Sequence, residues 1–81
     1  MDDREILHEI TRLTDEEHAT LHAAETGHGL DDAGRARLRE MMVEIDRLWD
    51  LLRQRRGRRH AGLDPNGAQE RAASVVEHFQ Q

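Results

Sequence analysis

Histidine and arginine are the residues of this 81-residue chain whose types and spacing could do chemistry. His18 and His22 stand four apart, with Asp15 three residues before the first and Glu25 three after the second. On a helix all four would share a face, and two imidazoles flanked by two carboxylates could hold a divalent ion. Glu5 and His8 add a Glu-x-x-His pair, which in di-iron bundles points inward and is matched by a second pair. Here the matching pair is missing and His8 falls away from the apolar stripe, so a solvated polar face accounts for the histidines. Covalent chemistry has little to work with. Cysteine, lysine and tyrosine are absent, and Ser74 is the only serine. No enzyme activity, metal or cofactor is expected.

The second candidate is the run "WDLLRQRRGRRH", Trp49 to His60, in which Arg53, Arg55, Arg56, Arg58 and Arg59 fall within seven residues. Such a run could contact phosphates. Against that stand a net charge of −5 and an aromatic content of 2% for stacking on bases. The charge is also sharply divided along the chain. Residues 1–34 hold ten acids and two arginines, residues 35–59 hold nine arginines and four acids, and residues 60–81 hold three acids and one arginine. If the first two segments fold against each other head to tail, the arginines lie beside Asp2, Asp3, Glu5 and Glu9. An ion-pair network closing the open end of a helical hairpin then explains both clusters, and each also suits its helix dipole.

Helices are what must position these groups. Asp2 followed three residues later by Glu5 reads as a capping box, and Ile6, Ile10, Leu13, Leu21 and Ala24 return to one face at helical spacing. The spacing predicts a helix over about residues 2–26, ended near Gly27. Glu17 interrupts its stripe and needs a cation, an arginine such as Arg37 or one from another protomer, in a pairing that would set the register or oligomeric state. A second helix is predicted over about 32–60, with Leu38, Met41, Met42, Ile45, Leu48, Trp49 and Leu52 as its stripe. After "GLDPNG", where Pro65 suits a first helical position, a short helix over about 72–79 would present Val75, Val76 and Phe79.

The tight turn "TGHGLDD" makes the first two helices an antiparallel hairpin within a single small all-α domain. The stripe of the second helix is wider than one neighbour can cover. The expected remedy is a homodimer forming a four-helix bundle, with Met42, Leu48, Trp49 and Leu52 at the oligomer interface. The alternative is a C-terminal segment that folds back to give a three-helix monomer. Trp49 reads as a bundle anchor rather than a ligand platform. Val43 and Leu51 lie off the stripe. With the five arginines, Leu51 forms the expected partner surface if the C-terminal segment leaves it open. The charged opening "MDDREILHEI" predicts neither a secretory leader nor a membrane span, and the cytoplasm is the expected compartment.

"EEH" (Glu16–His18), "WDLLRQRR" (Trp49–Arg56), the spaced Ala61, Gly62, Asp64 and Pro65, and "VVE" (Val75–Glu77) together resemble a short actinobacterial family of unknown function. The similarity covers essentially the whole chain, and the Trp49–Arg56 run is its most specific part. The resemblance implies a small cytoplasmic protein and brings no activity with it. The expected role is a non-enzymatic, self-associating interaction or adaptor protein. The alternative is a nucleic-acid- or ribosome-associated factor using Arg53 to Arg59.

Overall fold

Asp2 starts the first helix, α1 (Asp3–Thr26). Its carboxylate accepts the Glu5 backbone N–H at 2.8 Å, while the Glu5 side chain accepts the N–H of Asp2 at 3.1 Å. Two amides that the helix cannot satisfy internally are thus satisfied reciprocally. The chain reverses through Gly27–Gly29, where Gly29 takes a left-handed φ of +82° that a side chain would disfavour. Asp31 then caps α2 (Asp32–His60), accepting from the N–H of Gly34 at 2.7 Å. Gly62, at φ +77°, turns the chain out of α2, and Asp64 caps a 3-10 turn over Pro65–Gly67. A short α3 (Ala73–Gln80) follows. The computed structural model describes residues 1–80, with side chains described through residue 76. The side chain of Phe79, expected to be presented by the last helix, lies outside them.

Three ion pairs at two levels fix the register of the α1–α2 hairpin. Asp3 meets Arg55 and Arg59 at the open end, and Glu16 meets Arg37 near the middle. Between them Ile6, Ile10 and Leu13 of α1 pack on Met41, Leu48, Leu51 and Leu52 of α2, with Leu38, Ile45 and Ala68 at the margin. Removing this apolar surface from water is the main stabilising term.

The C-terminal segment does fold back, and it does so against α2. Its Val76 is fully buried. The result is an all-α plank of 51 × 25 × 17 Å, with two long helices side by side and a third element on one broad side. Among the described residues no helix is long and apolar enough to cross a membrane.

Candidate interaction face

The five arginines divide according to the side of α2 on which each falls. Arg55 is 6% exposed: its Nε donates to Asp3 Oδ1 at 2.6 Å and its Nη1 to Asn66 Oδ1 at 3.0 Å. Arg59 donates to both oxygens of the same Asp3 carboxylate. These hydrogen bonds, first from Arg59 and then from Arg55, hold the Asp3 carboxyl at about 2, below its ordinary 3.8. A depressed carboxyl favours the fold at higher pH, so this contribution is complete above the usual carboxylate range and is lost as pH falls toward 2. Arg58 donates to the Asp64 carbonyl, and Arg53 lies 3.8 Å from Asp50. Arg56 is exposed and has no ion pair among the described residues. Of the acids expected at the open end, only Asp3 receives arginines from α2. Asp2 and Glu5 are used by the cap, and Glu9 pairs with Arg12 on its own helix.

One side of α2 grips the segment that leads to α3, which we call the strap, by its main chain. Arg58 reaches the carbonyl of Asp64, Arg55 that of Pro65 at 3.3 Å, Gln54 that of Gln69 at 2.7 Å and Arg47 that of Arg71 at 2.9 Å. The strap lies over Leu51. That residue was expected on a partner surface but is 7% exposed, with Ala68 packed against the same core. Val43, expected to be exposed beside it, is half-buried.

Asp50 is also buried, and it accepts from Gln54 at 2.9 Å and pairs with Arg71 at 3.4 Å. The sequence reading passed over it. A carboxylate inside the apolar run "WDLL" was the available signal, because a buried charge needs a cation close by.

Two carboxylates meet on the same side. Glu44 and Glu70 converge on Arg47, at 3.4 and 3.9 Å. Burial first, then a hydrogen bond and repulsion from Glu70, lift Glu44 from 4.5 to about 7. Arg47 opposes the rise, and Glu9 on α1 adds to it. An acid raised in the folded state favours the fold when protonated, so stability is lost as pH climbs from about 4.5 through 7. The Glu44 side chain is 36% exposed, and after solvent screening about 1 kcal/mol of the shift should remain as stability. Glu44→Gln should therefore raise the thermal midpoint at pH 8 and leave it nearly unchanged at about pH 4, below the ordinary carboxyl value. Equal midpoints for both proteins at both pH values would show that the carboxylates are not in conflict.

The opposite broad side of the hairpin is uncovered. On α2 the residue just before each core position turns toward the strap: Arg47 before Leu48, Leu51 before Leu52. The residue just after turns away: Met42 after Met41, Trp49 after Leu48, Arg53 after Leu52. That is the 100° step of an α-helix. On α1, Glu9 before Ile10 faces the strap side, whereas Leu7 after Ile6 and Thr14 after Leu13 face the open side. The open side thus carries Leu7, Thr14 and Leu21 on α1, and Met42 and Trp49 on α2, each row at seven-residue spacing. Leu7 and Leu21 are exposed, as are Met42 (51%) and Trp49 (39%).

Of the four residues expected at an oligomer interface, Met42 and Trp49 lie on this face. Leu48 and Leu52 do not: each is 1% exposed and is used up in the contact between α1 and α2. A stripe residue has one preferred neighbour, and α1 is already there.

The remaining expected groups are not gathered into a site. His18 and His22 are exposed on α1, and among the described residues no three His, Asp or Glu side chains converge as metal ligands would. Arg37, expected to partner Glu17, pairs with Glu16 instead, at 3.1 Å to both oxygens. The two glutamates differ by one 100° step, and Glu16 is on the flank that Arg37 can reach.

A family model described as "Protein of unknown function (DUF2630)" matches residues 2–81. The chain is 39% identical over 77 residues to uncharacterized protein Rv0898c of Mycobacterium tuberculosis (strain ATCC 25618 / H37Rv). It is similar to the same extent to uncharacterized protein Mb0922c of Mycobacterium bovis (strain ATCC BAA-935 / AF2122/97). Each match covers 95% of this chain and 88% of the relative. No solved structure matches. The family expected from "WDLLRQRR" and its companions was an actinobacterial one of unknown function, and these relatives are mycobacterial. With the family model spanning all but the first residue and mycobacterial relatives matching over most of both chains, the chain belongs to the DUF2630 family.

Proposed function

We propose that this protein is a non-enzymatic, self-associating interaction protein of the cytoplasm, working through the open side of its hairpin. The observation that carries this reading is the apolar row of Leu7, Leu21, Met42 and Trp49 on the side away from the strap. Large apolar side chains aligned on one face mark an association surface, and an indole among them is a residue type that often dominates such a contact.

Trp49→Glu should leave the helix content intact, because the indole lies outside the core, and raise the dissociation constant of the self-associated form on the order of 30-fold or more. Sedimentation equilibrium across a wide concentration series measures this directly. Trp49 is the only tryptophan and tyrosine is absent, so intrinsic fluorescence reports on this face and should shift to the blue as the native protein associates. A native protein that sediments as a single chain at every concentration would end this reading.

The second reading, a nucleic-acid- or ribosome-associated factor, draws support from Arg53 and Arg56, which are exposed near Trp49 on the open side. It loses support from Arg55, Arg58 and Arg59, which already hold Asp3 and the strap. Binding to RNA or DNA that falls steeply with salt would favour it.

A further inference from the structure

We infer that two copies pair open side to open side, with α1 of each copy lying antiparallel along α2 of the other. This rests on the self-association proposed above and adds its geometry. A two-fold axis lying in the plane of the contact can close such a pair in two ways. An axis parallel to the helices sets α1 on α2 of the second copy. An axis across them sets α1 on α1 and α2 on α2. Facing helices run antiparallel in both cases, so their dipoles do not decide.

Charge does decide. α1 carries seven acids and two arginines, a net −5, and α2 carries nine arginines and five acids, a net +4. The crossed axis stacks like on like twice, and the parallel axis stacks unlike on unlike twice. A hairpin whose acidic helix is set against the basic helix of its partner by a two-fold rotation is suited to a second copy of itself.

The side chains agree with the charge. Asp3 stands level with Arg55 and Arg59, and Glu16 with Arg37, which places Leu7 level with Trp49, Thr14 with Met42 and Leu21 with Arg35. An axis parallel to the helices preserves these levels, so Leu7, Thr14 and Leu21 meet Trp49, Met42 and Arg35 of the second copy. The long, adaptable Met42 then fills the space above the short Thr14. Leu21 lies against the stem of Arg35, whose guanidinium is tied back to Asp32 and to the Leu30 carbonyl. The crossed axis would instead set Thr14 on Thr14 and leave a gap at the centre of the face. Asp15 and Arg39 have no ion-pair partner among the described residues, and with the parallel axis they come nearly level at the rim.

The chain has no cysteine, so single-cysteine variants report the arrangement cleanly. Thr14→Cys and Met42→Cys replace residues outside the core, and circular dichroism verifies that each variant folds. Mixed and mildly oxidised, the two proteins should form the mixed disulfide about tenfold faster than either forms a disulfide with itself, because only that pair is held at close range. Preferential self-linking of Thr14→Cys overturns this geometry in favour of α1 on α1, while self-association stands. A dimer by sedimentation with no linkage at either position also overturns it, placing the contact elsewhere. A single-chain mass with no linkage removes the self-association reading itself, and this inference with it.

Discussion

Arg55→Met should cost more stability than replacement of any other arginine, about 2–3 kcal/mol, and should loosen both ends of the chain together. Arg55 is the only buried arginine of the run, and one guanidinium serves three acceptors: the Asp3 carboxylate, the Asn66 side chain and the Pro65 carbonyl. Methionine can follow the buried aliphatic stem but offers no donor, so the Asp3 carboxylate, the Asn66 amide oxygen and the Pro65 carbonyl all lose it at once. Arg59 provides the control. It touches the same Asp3 carboxylate from an exposed position, and Arg59→Met should cost less than about 1 kcal/mol. Urea midpoints of the two variants measure the difference. Amide exchange at Asn66 to Ala68 should quicken only in Arg55→Met. Equal losses in the two proteins would mean that burial adds nothing to the Arg55 contacts.

Leu52→Ala should remove about 2–5 kcal/mol, the usual consequence of emptying a fully buried leucine site. For 81 residues the total stability is on the order of 4–12 kcal/mol, so this one change could leave the chain largely unfolded at moderate temperature. Its dependence on protein concentration is informative. A side chain buried between α1 and α2 of one chain is lost to the fold whatever the concentration, whereas the effect of Trp49→Glu should appear in the association constant. Urea midpoints measured at low and high protein concentration separate the two. A Leu52→Ala midpoint restored to the native value at high concentration would place Leu52 between copies rather than within one.

The hairpin was legible because its signals are local. Asp2 with Glu5, and Asp31 before an apolar stripe, mark helix starts by side-chain chemistry, and glycine marks the reversal between them. Ile6, Ile10 and Leu13 repeat at a spacing that only a helix returns to one face. The fate of Leu51 and Asp50 was not legible in the same way. Both depend on the path taken by residues 61–72, and that path is held largely through backbone carbonyls, which carry no mark in the sequence. Periodicity also could not separate Leu48 from Trp49. Both sit on the wide stripe, and which of them α1 covers depends on a rotation of α2 of less than one residue step. The Glu16–Arg37 and Asp3–Arg59 pairs set that rotation, and they join residues 21 and 56 positions apart.

The grip of α2 on the strap has a consequence for how this part of the chain can vary. A carbonyl oxygen is offered by every residue type, so Arg47, Gln54, Arg55 and Arg58 read the spacing of the strap far more than its letters. Many exchanges at Gln69 leave its acceptor in place, whereas Arg71 also pairs with the buried Asp50 and a side chain at Gly67 would run into the Arg58 guanidinium. Inserting or deleting a single residue between Asp64 and Arg71 would slide the carbonyls beyond it past their donors and draw Val76 away from its buried position. This stretch is strict about length throughout, and about spelling where a side chain or its absence is also used, at Asn66, Gly67, Ala68 and Arg71.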